Sequence, residues 1–426
     1  MRIWLVNPFD PLPGDPEQEG RYATLARMLI HQGHQVVWWT SSFSHRFKRP
    51  VDQASLTQAC QGMGLQVFFI PSRAYKRNIS LSRLWNHRQL AKRFCGAASG
   101  EMRSEPPEVV IASAPPPGLA LAAMSIAQHY GAARIIDVQD LWPETFYRLV
   151  PGCAARLAAG VLRPITKTAE QAYALADTII GVADAYVAHA CKHAATKKKS
   201  ATVPLGIDLA SFDAAVSLGT CTQFTKPAGE IWLAYTGSLS RSYDCLTIVK
   251  AASRLSSLSG TRFRFFITGA GELYAAMAQS IKNNHLSNVT LTGFLDFKTW
   301  AYLLSQCDAG FNASFPSALI YLPNKIFYYF AAGLAVLNTI PGQCSSIIAD
   351  GNCGLDYKAG DVESCADAIC RAVASPEQLK QMCKGSRYVA ESRYDRRILY
   401  QKFIDLIEGH TKVKKSGRPC RKDFIR

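Results

Sequence analysis

Ile3-Trp4-Leu5-Val6 is a short unbroken apolar run, the pattern of a strand buried on both faces of a parallel sheet. A loop holding Pro8, Pro11, Pro13, Gly14 and Gly20 follows it. Beyond the loop, Tyr22, Leu25, Ala26, Leu29 and Ile30 recur at helical spacing and predict one apolar helix face. Gly33 stops that helix and Val36-Val37-Trp38-Trp39 is the next strand, so the chain opens on a βαβ unit. Further strands are predicted at Val109–Ala112, Ile135–Val138 and Thr178–Val182, with helical segments between them. The second half repeats the alternation, with strands at Ile231–Tyr235, Phe263–Thr268, Val289–Thr292, Gly310–Asn312 and Ala335–Asn338. Helical stretches near 243–257, 272–284, 297–306, 324–332 and 361–374 separate these.

Such alternation in both halves predicts an α/β protein of two doubly wound parallel-sheet domains. They are placed at 1–208 and 209–393, with a last helix over 394–410 returning to the first domain and a basic tail at 411–426. The polar stretch Ser217–Gly229 reads as the linker. Two such domains facing each other make a cleft at the carboxyl ends of their strands, where ligands bind with phosphates at helix N-termini. Dehydrogenase and NTPase chemistry are excluded at this stage. Gly269-Ala270-Gly271 is the only GxG after a strand, and Tyr274 stands where the dinucleotide fingerprint needs its third glycine. No GK[ST] occurs, so a P-loop is absent.

Composition adds two constraints. The 426 residues carry 48 Lys+Arg against 32 Asp+Glu, a formal charge of +16, which calls for an anionic partner: nucleic acid, a membrane surface or a phosphate-bearing substrate. Thirteen cysteines without a CxxC or zinc-finger spacing point to reduced thiols in a cytoplasmic protein and to no metal site. The charge-free stretch from Val109 to Ala133 is long enough to span a bilayer, but Pro115-Pro116-Pro117 divides it into a strand and a helix that are each too short.

Several segments, in order, resemble glycosyltransferase family 4 of the GT-B superfamily. His31-Gln32-Gly33-His34-Gln35-Val36 is similar to the family's RGHEV segment, and Asp177-Thr178-Ile179-Ile180 to its AD-x-I strand. Val203-Pro204-Leu205-Gly206-Ile207-Asp208 resembles the VIPNGVD crossover. Tyr235-Thr236-Gly237-Ser238, Gly269-Ala270-Gly271-Glu272, Asn288-Val289 with Gly293, and Asp308 follow at the family's spacing. The run from Pro323-Asn324-Lys325 to Ala332-Gly333 resembles PSKLFEYLAAG. Trp38–Ser41, Phe43–Lys48 and Asp137–Glu144 resemble a narrower group, the L-fucosamine-type amino-sugar transferases of bacterial O-antigen and capsule assembly.

The resemblance implies a GT-B fold of two facing Rossmann-like domains and retaining transfer of a sugar, such as an N-acetylated amino sugar. The donor would be a nucleotide diphosphate, commonly UDP-linked, and the acceptor a polyprenyl-diphosphate-linked glycan. It implies no cofactor and no metal, in keeping with the lack of any DxD triplet, and a place on the inner face of the plasma membrane. In the family two glutamates eight positions apart hold the donor sugar and the ribose; here those positions are Ile320 and Tyr328. The alternative is therefore a non-catalytic GT-B subunit that binds lipid-linked glycan or a partner enzyme.

Donor binding is assigned to Gly237, Ser238, Arg241, Glu272, Leu295, Lys325 and Tyr328. Arg241 offers a fork for two phosphate oxygens, unless it is a solvated arginine beside a helix start. Lys325 opens a helix, where a cation opposes the dipole unless it neutralises an anion. Tyr328 either stacks on the nucleoside or packs in the core, and Glu272 either points at the donor or sits at a helix start. In the first domain Asp140 and Glu144 are the catalytic candidates, holding the acceptor hydroxyl, with a helix cap and a dipole-favoured carboxylate as the competing readings. Gly14, Gly20, His45, Arg77, Arg83, Trp85, Arg88 and Lys92 are assigned to acceptor and membrane. The stretch from Arg73 to Phe94 interleaves cations with Tyr75, Leu81, Leu84, Trp85, Leu90 and Phe94, and predicts a basic amphipathic segment with Trp85 and Phe94 inserted among lipid headgroups. A solvated helix face is the other reading. No motif supports nucleic-acid binding.

Overall fold

The computed structural model describes residues 1–15, 20–76, 80–147, 155–219, 224–256 and 262–414. The chain divides into two compact units, Met1–Val203 with the chain from Tyr400 onward, and Pro204–Leu399.

The strands of the first unit are β1 (Arg2–Val6), β2 (Gln35–Ser41), β3 (Phe43–Ser44), β4 (Arg49–Pro50), β5 (Leu65–Ile70), β6 (Val109–Ala114), β7 (Ala133–Val138), β8 (Thr178–Gly181) and β9 (Lys199–Thr202). Seven of them form one sheet in the order β5-β2-β1-β6-β7-β8-β9, and β3 with β4 forms a small antiparallel pair. All neighbours in the large sheet are parallel, with Ile3 of β1 level with Val36 on one side and Val109 on the other. Its helices are α1 (Arg21–His31), α2 (Gln53–Gln61), α3 (Leu81–Ser104), α4 (Pro117–His129), α5 (Glu144–Tyr147), α6 (Ala155–Leu175) and α7 (Asp184–Lys192). Every residue of β1 and β6 is buried, which is why these strands read as continuous apolar runs.

The second unit carries α8 (Leu209–Leu218), then β10 (Glu230–Thr236), α9 (Cys245–Leu255), β11 (Arg262–Thr268), α10 (Tyr274–Asn283), β12 (Val289–Gly293), α11 (Phe297–Gln306) and β13 (Ala309–Asn312). It continues with α12 (Lys325–Ala331), β14 (Ala335–Asn338), α13 (Gln343–Asp350), β15 (Gly354–Asp356), α14 (Val362–Ala372) and α15 (Pro376–Val389). The strand order is β12-β11-β10-β13-β14-β15, again all parallel. In each sheet the chain winds outward in one direction and then in the other, so the winding reverses between β1 and β6 and between β10 and β13. Crevices for ligands open at such reversals, beyond the carboxyl ends of the strands.

The two units meet in sequence at Val203–Pro204, not in the polar stretch 217–229. Asp208 accepts a hydrogen bond from the Ser211 N–H and starts α8, whose Phe212 and Ala215 are buried. Helix α8 runs on to Leu218 and so takes up the start of that stretch, and residues 220–223 lie outside the described set. The last helix, α16 (Arg396–Lys414), supplies Tyr400, Phe403, Ile404 and Ile407 to the first unit, all fully buried. The residues 415–426 of the predicted tail are not among those described. No helix among the described residues is long and apolar enough to cross a membrane.

Candidate functional site

In the second unit, the loops after β10, β11 and β12 are laced together. Gly237 donates to the Thr268 carbonyl at 3.0 Å, Gly269 to Gly293 at 2.9 Å, and Leu239 to Ala270 at 3.0 Å. Gly269 sits at φ +140°, and a Cβ there would stand 1.9 Å from the Gly237 carbonyl oxygen, so only glycine allows this approach. Gly237, at φ +129°, faces Lys325: a Cβ at 237 would lie 3.3 Å from the lysine Nζ.

Lys325 is the decisive side chain. It is only 8% exposed, and Nζ lies 3.9 Å from the centre of the Tyr235 ring and 4.1 Å from that of Tyr243. Nζ has no hydrogen-bond partner among the described residues. Burial pulls its pKa from the ordinary lysine value down to about 7. A buried amine with three donors and none used, held beside a glycine loop at the winding reversal, is built to receive an anion.

The other donor candidates are arranged less uniformly. Ser238 is exposed, and its carbonyl accepts from the Tyr235 hydroxyl at 2.8 Å. Arg241 projects into solvent, 85% exposed, with Nε 3.9 Å from the Glu272 carboxylate. Glu272 also accepts from the Arg241 N–H at 3.1 Å, so it ties the turn after β10 to the loop after β11. Leu295 is half-buried just before Asp296, the cap of α11. Tyr328 corrects the stacking expectation: it is buried, with Trp300 at 4.7 Å edge-on and Phe212 at 6.3 Å, and it packs in the core. Ile320 is half-buried after Leu319, which adopts φ +55°.

In the first unit, Asp140 follows β7 and is consumed largely by its own turn. One carboxylate oxygen accepts from the Leu141 N–H at 2.8 Å and the Thr145 hydroxyl at 3.3 Å; the other accepts from the Trp142 indole at 3.2 Å. Burial raises its pKa despite these bonds, and Arg83 works in the opposite direction. Glu144 pairs with His189 at 3.4 Å. Burial acts against its charge, but the His189 hydrogen bond helps hold the carboxyl below its usual range, and Oε2 has no partner among the described residues.

Arg83 corrects the amphipathic reading. It faces inward, 9% exposed, with its guanidinium 4.4 Å from the centre of the Trp142 ring and 5.9 Å from Phe9 and Tyr75. His45 meets the Tyr75 hydroxyl and, at 3.3 Å, the Lys48 amine. Burial first, then Arg83 and Lys48, push the imidazole down to about 3, so it is neutral. Leu90 and Phe94 are fully buried, Phe94 edge-on to Trp39 at 5.3 Å, and neither reaches a surface. Trp85, Arg88 and Lys92 are exposed, and with Leu81 they line one stripe of α3 at helical spacing. Arg77 lies outside the described residues. Gly20 leaves room for the Asp10 carboxylate, which a Cβ would approach to 3.2 Å; Gly14 closes a turn against Ala59.

Three features escaped the sequence. Arg21 makes a buried two-pronged pair with Asp137, 2.9 Å on each arm, and a third bond to the Val203 carbonyl. Its guanidinium lies over Tyr400 and Phe403 of α16. A carboxylate inside the apolar strand Ile135–Val138 signals a buried cation, but nothing local says which. His87 is another, four residues after Arg83 on α3 and so within reach of helical spacing, and Lys48 is the third, drawn to Arg83 by the tertiary fold.

Residues 19–211 match the family model "Glycosyltransferase Family 4", and residues 230–375 match "Glycosyl transferases group 1". The chain carries these two glycosyltransferase domains. Solved structures agree on the fold. Sucrose-phosphate synthase of Thermosynechococcus elongatus aligns over 97% of this chain and 99% of its own, with TM-score 0.71 and 15% identity. WaaG, a glycosyltransferase involved in lipopolysaccharide biosynthesis, aligns over 96% and 100% with TM-score 0.66 and 16% identity. HepE of Anabaena in complex with UDP-glucose aligns over the same shares with TM-score 0.66 and 13% identity. No curated protein matches the chain in sequence. The fold is therefore GT-B, built from two Rossmann-like domains.

Proposed function

We propose that this glycosyltransferase is a retaining, metal-independent enzyme that moves a sugar from a nucleotide-diphosphate donor to a lipid-diphosphate-linked glycan. The observation that carries the donor assignment is Lys325, buried beside the Gly237 loop and without a hydrogen-bond partner among the described residues. The structure of HepE with UDP-glucose favours a uridine nucleotide, and WaaG favours a role in bacterial surface polysaccharide. An N-acetylated amino sugar is the donor sugar that the subgroup resemblance favours.

In this reaction the bond from the anomeric carbon to the phosphate oxygen breaks as the acceptor oxygen bonds the same carbon from the same face. The acceptor proton passes to the departing phosphate oxygen. Lys325, charged once the diphosphate is beside it, stabilises the negative charge that grows on that group. Gly237 and Gly269 let backbone approach the phosphates. The exposed Arg241 closes on them from solvent, and Asp140 and Glu144 position the acceptor hydroxyl. Trp85, Arg88 and Lys92 hold the first domain against an anionic leaflet at the inner face of the plasma membrane. No cofactor takes part.

The non-catalytic alternative is favoured by one observation, the apolar Ile320 and the packed Tyr328 in place of two carboxylates. Thermal protection by UDP, GDP and other nucleotides, followed by product analysis with a matching sugar nucleotide and a lipid-diphosphate glycan, decides between them. Protection by UDP with turnover is expected. Protection without transfer or donor hydrolysis supports the alternative, and protection by no nucleotide overturns the donor site.

A further inference from the structure

The cations around Arg83 adjoin an apolar slot, and the two share residues. Lys48, His45, Arg83 and His87 gather beyond the ends of the strands in the first unit, around Phe9, Tyr75 and Trp142. Asp140 is the carboxylate that faces Arg83, and Tyr75 faces both Arg83 and Lys48. Burial, then its neighbour Arg83, holds Lys48 below its ordinary value. His87 is 6% exposed, is pushed down to about 3 by burial, Arg83 and His45, and its Nε2 has no partner among the described residues. Two cations crowd two neutral imidazoles here, an arrangement that an incoming anion relieves.

His87 and Trp142 also line a 240 Å³ slot between α3, α4 and α6. Leu84 and Ala91 of α3, Gly118 of α4 and Ile165 of α6 form its apolar walls, and Arg88 and Thr168 also line it. Trp142 thus carries Arg83 on its ring and belongs to the slot wall as well.

A cation cluster that shares His87 and Trp142 with a largely apolar slot matches one ligand chemistry, an anionic head joined to a hydrocarbon chain. We propose that the Lys48–Arg83 cluster seats the diphosphate of a prenyl-diphosphate acceptor and that the slot takes the first part of its prenyl chain. This rests on the reading of the acceptor as lipid-linked, and it gives that acceptor a location. It also separates roles on α3: Arg83 turns inward to the phosphate, the exposed Arg88 borders the slot, and Trp85 and Lys92 belong to the outer stripe.

The test is calorimetric titration of the full chain with farnesyl diphosphate and with inorganic pyrophosphate. Farnesyl diphosphate is expected to bind at least about tenfold more tightly, since several buried methylene groups each add to affinity. Lys48→Gln and Arg83→Gln should weaken both ligands by about tenfold or more, the loss expected of a charge-assisted hydrogen bond. Gly118→Leu, which fills the slot from a helix where leucine is favoured, should weaken only farnesyl diphosphate. Equal affinity of the two ligands in the native protein, or a farnesyl affinity indifferent to Lys48→Gln and Gly118→Leu, overturns the proposal. Lys48→Gln covers the case in which the buried Arg83 variant fails to fold. UDP titrated into the same samples keeps the two readings apart. UDP binding without farnesyl binding removes this site and leaves the donor site standing; farnesyl binding without UDP binding does the reverse.

Discussion

At the scale of single residues, Lys325 destabilises the protein through its burial when no ligand is present. Its folded pKa of about 7 lies below the ordinary 10.5, so between these values the unfolded chain holds a proton that the native protein lacks. The stability of the ligand-free protein therefore rises with pH through that window. Lys325→Met should raise the melting temperature at pH 7, by on the order of 2 kcal/mol of stability, and flatten that rise; thermal melts from pH 6.5 to 9.5 check both. The same substitution should weaken UDP binding by roughly 10- to 100-fold, read by titration. In the native protein, a diphosphate beside Nζ draws the proton back. UDP affinity should then fall as pH rises above about 7, by up to about tenfold per unit, with proton uptake visible as a dependence of binding heat on the buffer. Sequence reasoning reached Lys325 by its awkward place at a helix start. It could not see the cage of Tyr235 and Tyr243, because those rings arrive from the end of β10 and the turn before α9.

At the scale of elements, the buried central strands were legible because both of their faces are apolar. Of the edge strands, β12 was legible at Val289–Thr292, and β5, β9 and β15 were not. β9 (Lys199–Thr202) is polar and half-exposed, and β15 spans only three residues, so neither carries a periodic signal. Helix α3 shows the other limit. Its cations and apolar residues alternate in the sequence as on a membrane-facing helix, yet Leu90 and Phe94 turn to the core and Arg83 to the site. The side a residue faces depends on the neighbour packed against it, and periodicity does not name that neighbour. Tyr328 of α12 belongs to the same lesson. Tyr328→Glu would place a charge beside Trp300 and Phe212, so it should lower stability by about 2–4 kcal/mol and give no gain in UDP affinity, as denaturant melts and titration would show.

At the scale of the whole molecule, the first unit is discontinuous in sequence. Arg21, paired with Asp137 and bonded to Val203, is covered by Tyr400 and Phe403 of α16. Removing the chain after Leu399 uncovers that buried ion pair along with the apolar face of Ile404 and Ile407. The truncated protein should lose the cooperative unfolding of the first unit in calorimetry, whereas residues 204–399 expressed alone should fold and bind UDP.

The sequence by itself determined the alternation of strands and helices, and with it two parallel sheets, because buried strands and amphipathic helices each impose their own period on the chain. It also supplied the glycines and the lysine assigned to the donor. Only the tertiary structure decided which charges are buried and against what. Arg21 and Asp137 are 116 positions apart, and Lys48, Arg83 and Asp140 come from three separate loops and helix starts. The positive charge that composition could only count is thereby divided: Lys325 beside one glycine loop, Lys48 and Arg83 beside an apolar slot, and an outer stripe on α3. That division depends on distances in space, which no local pattern records.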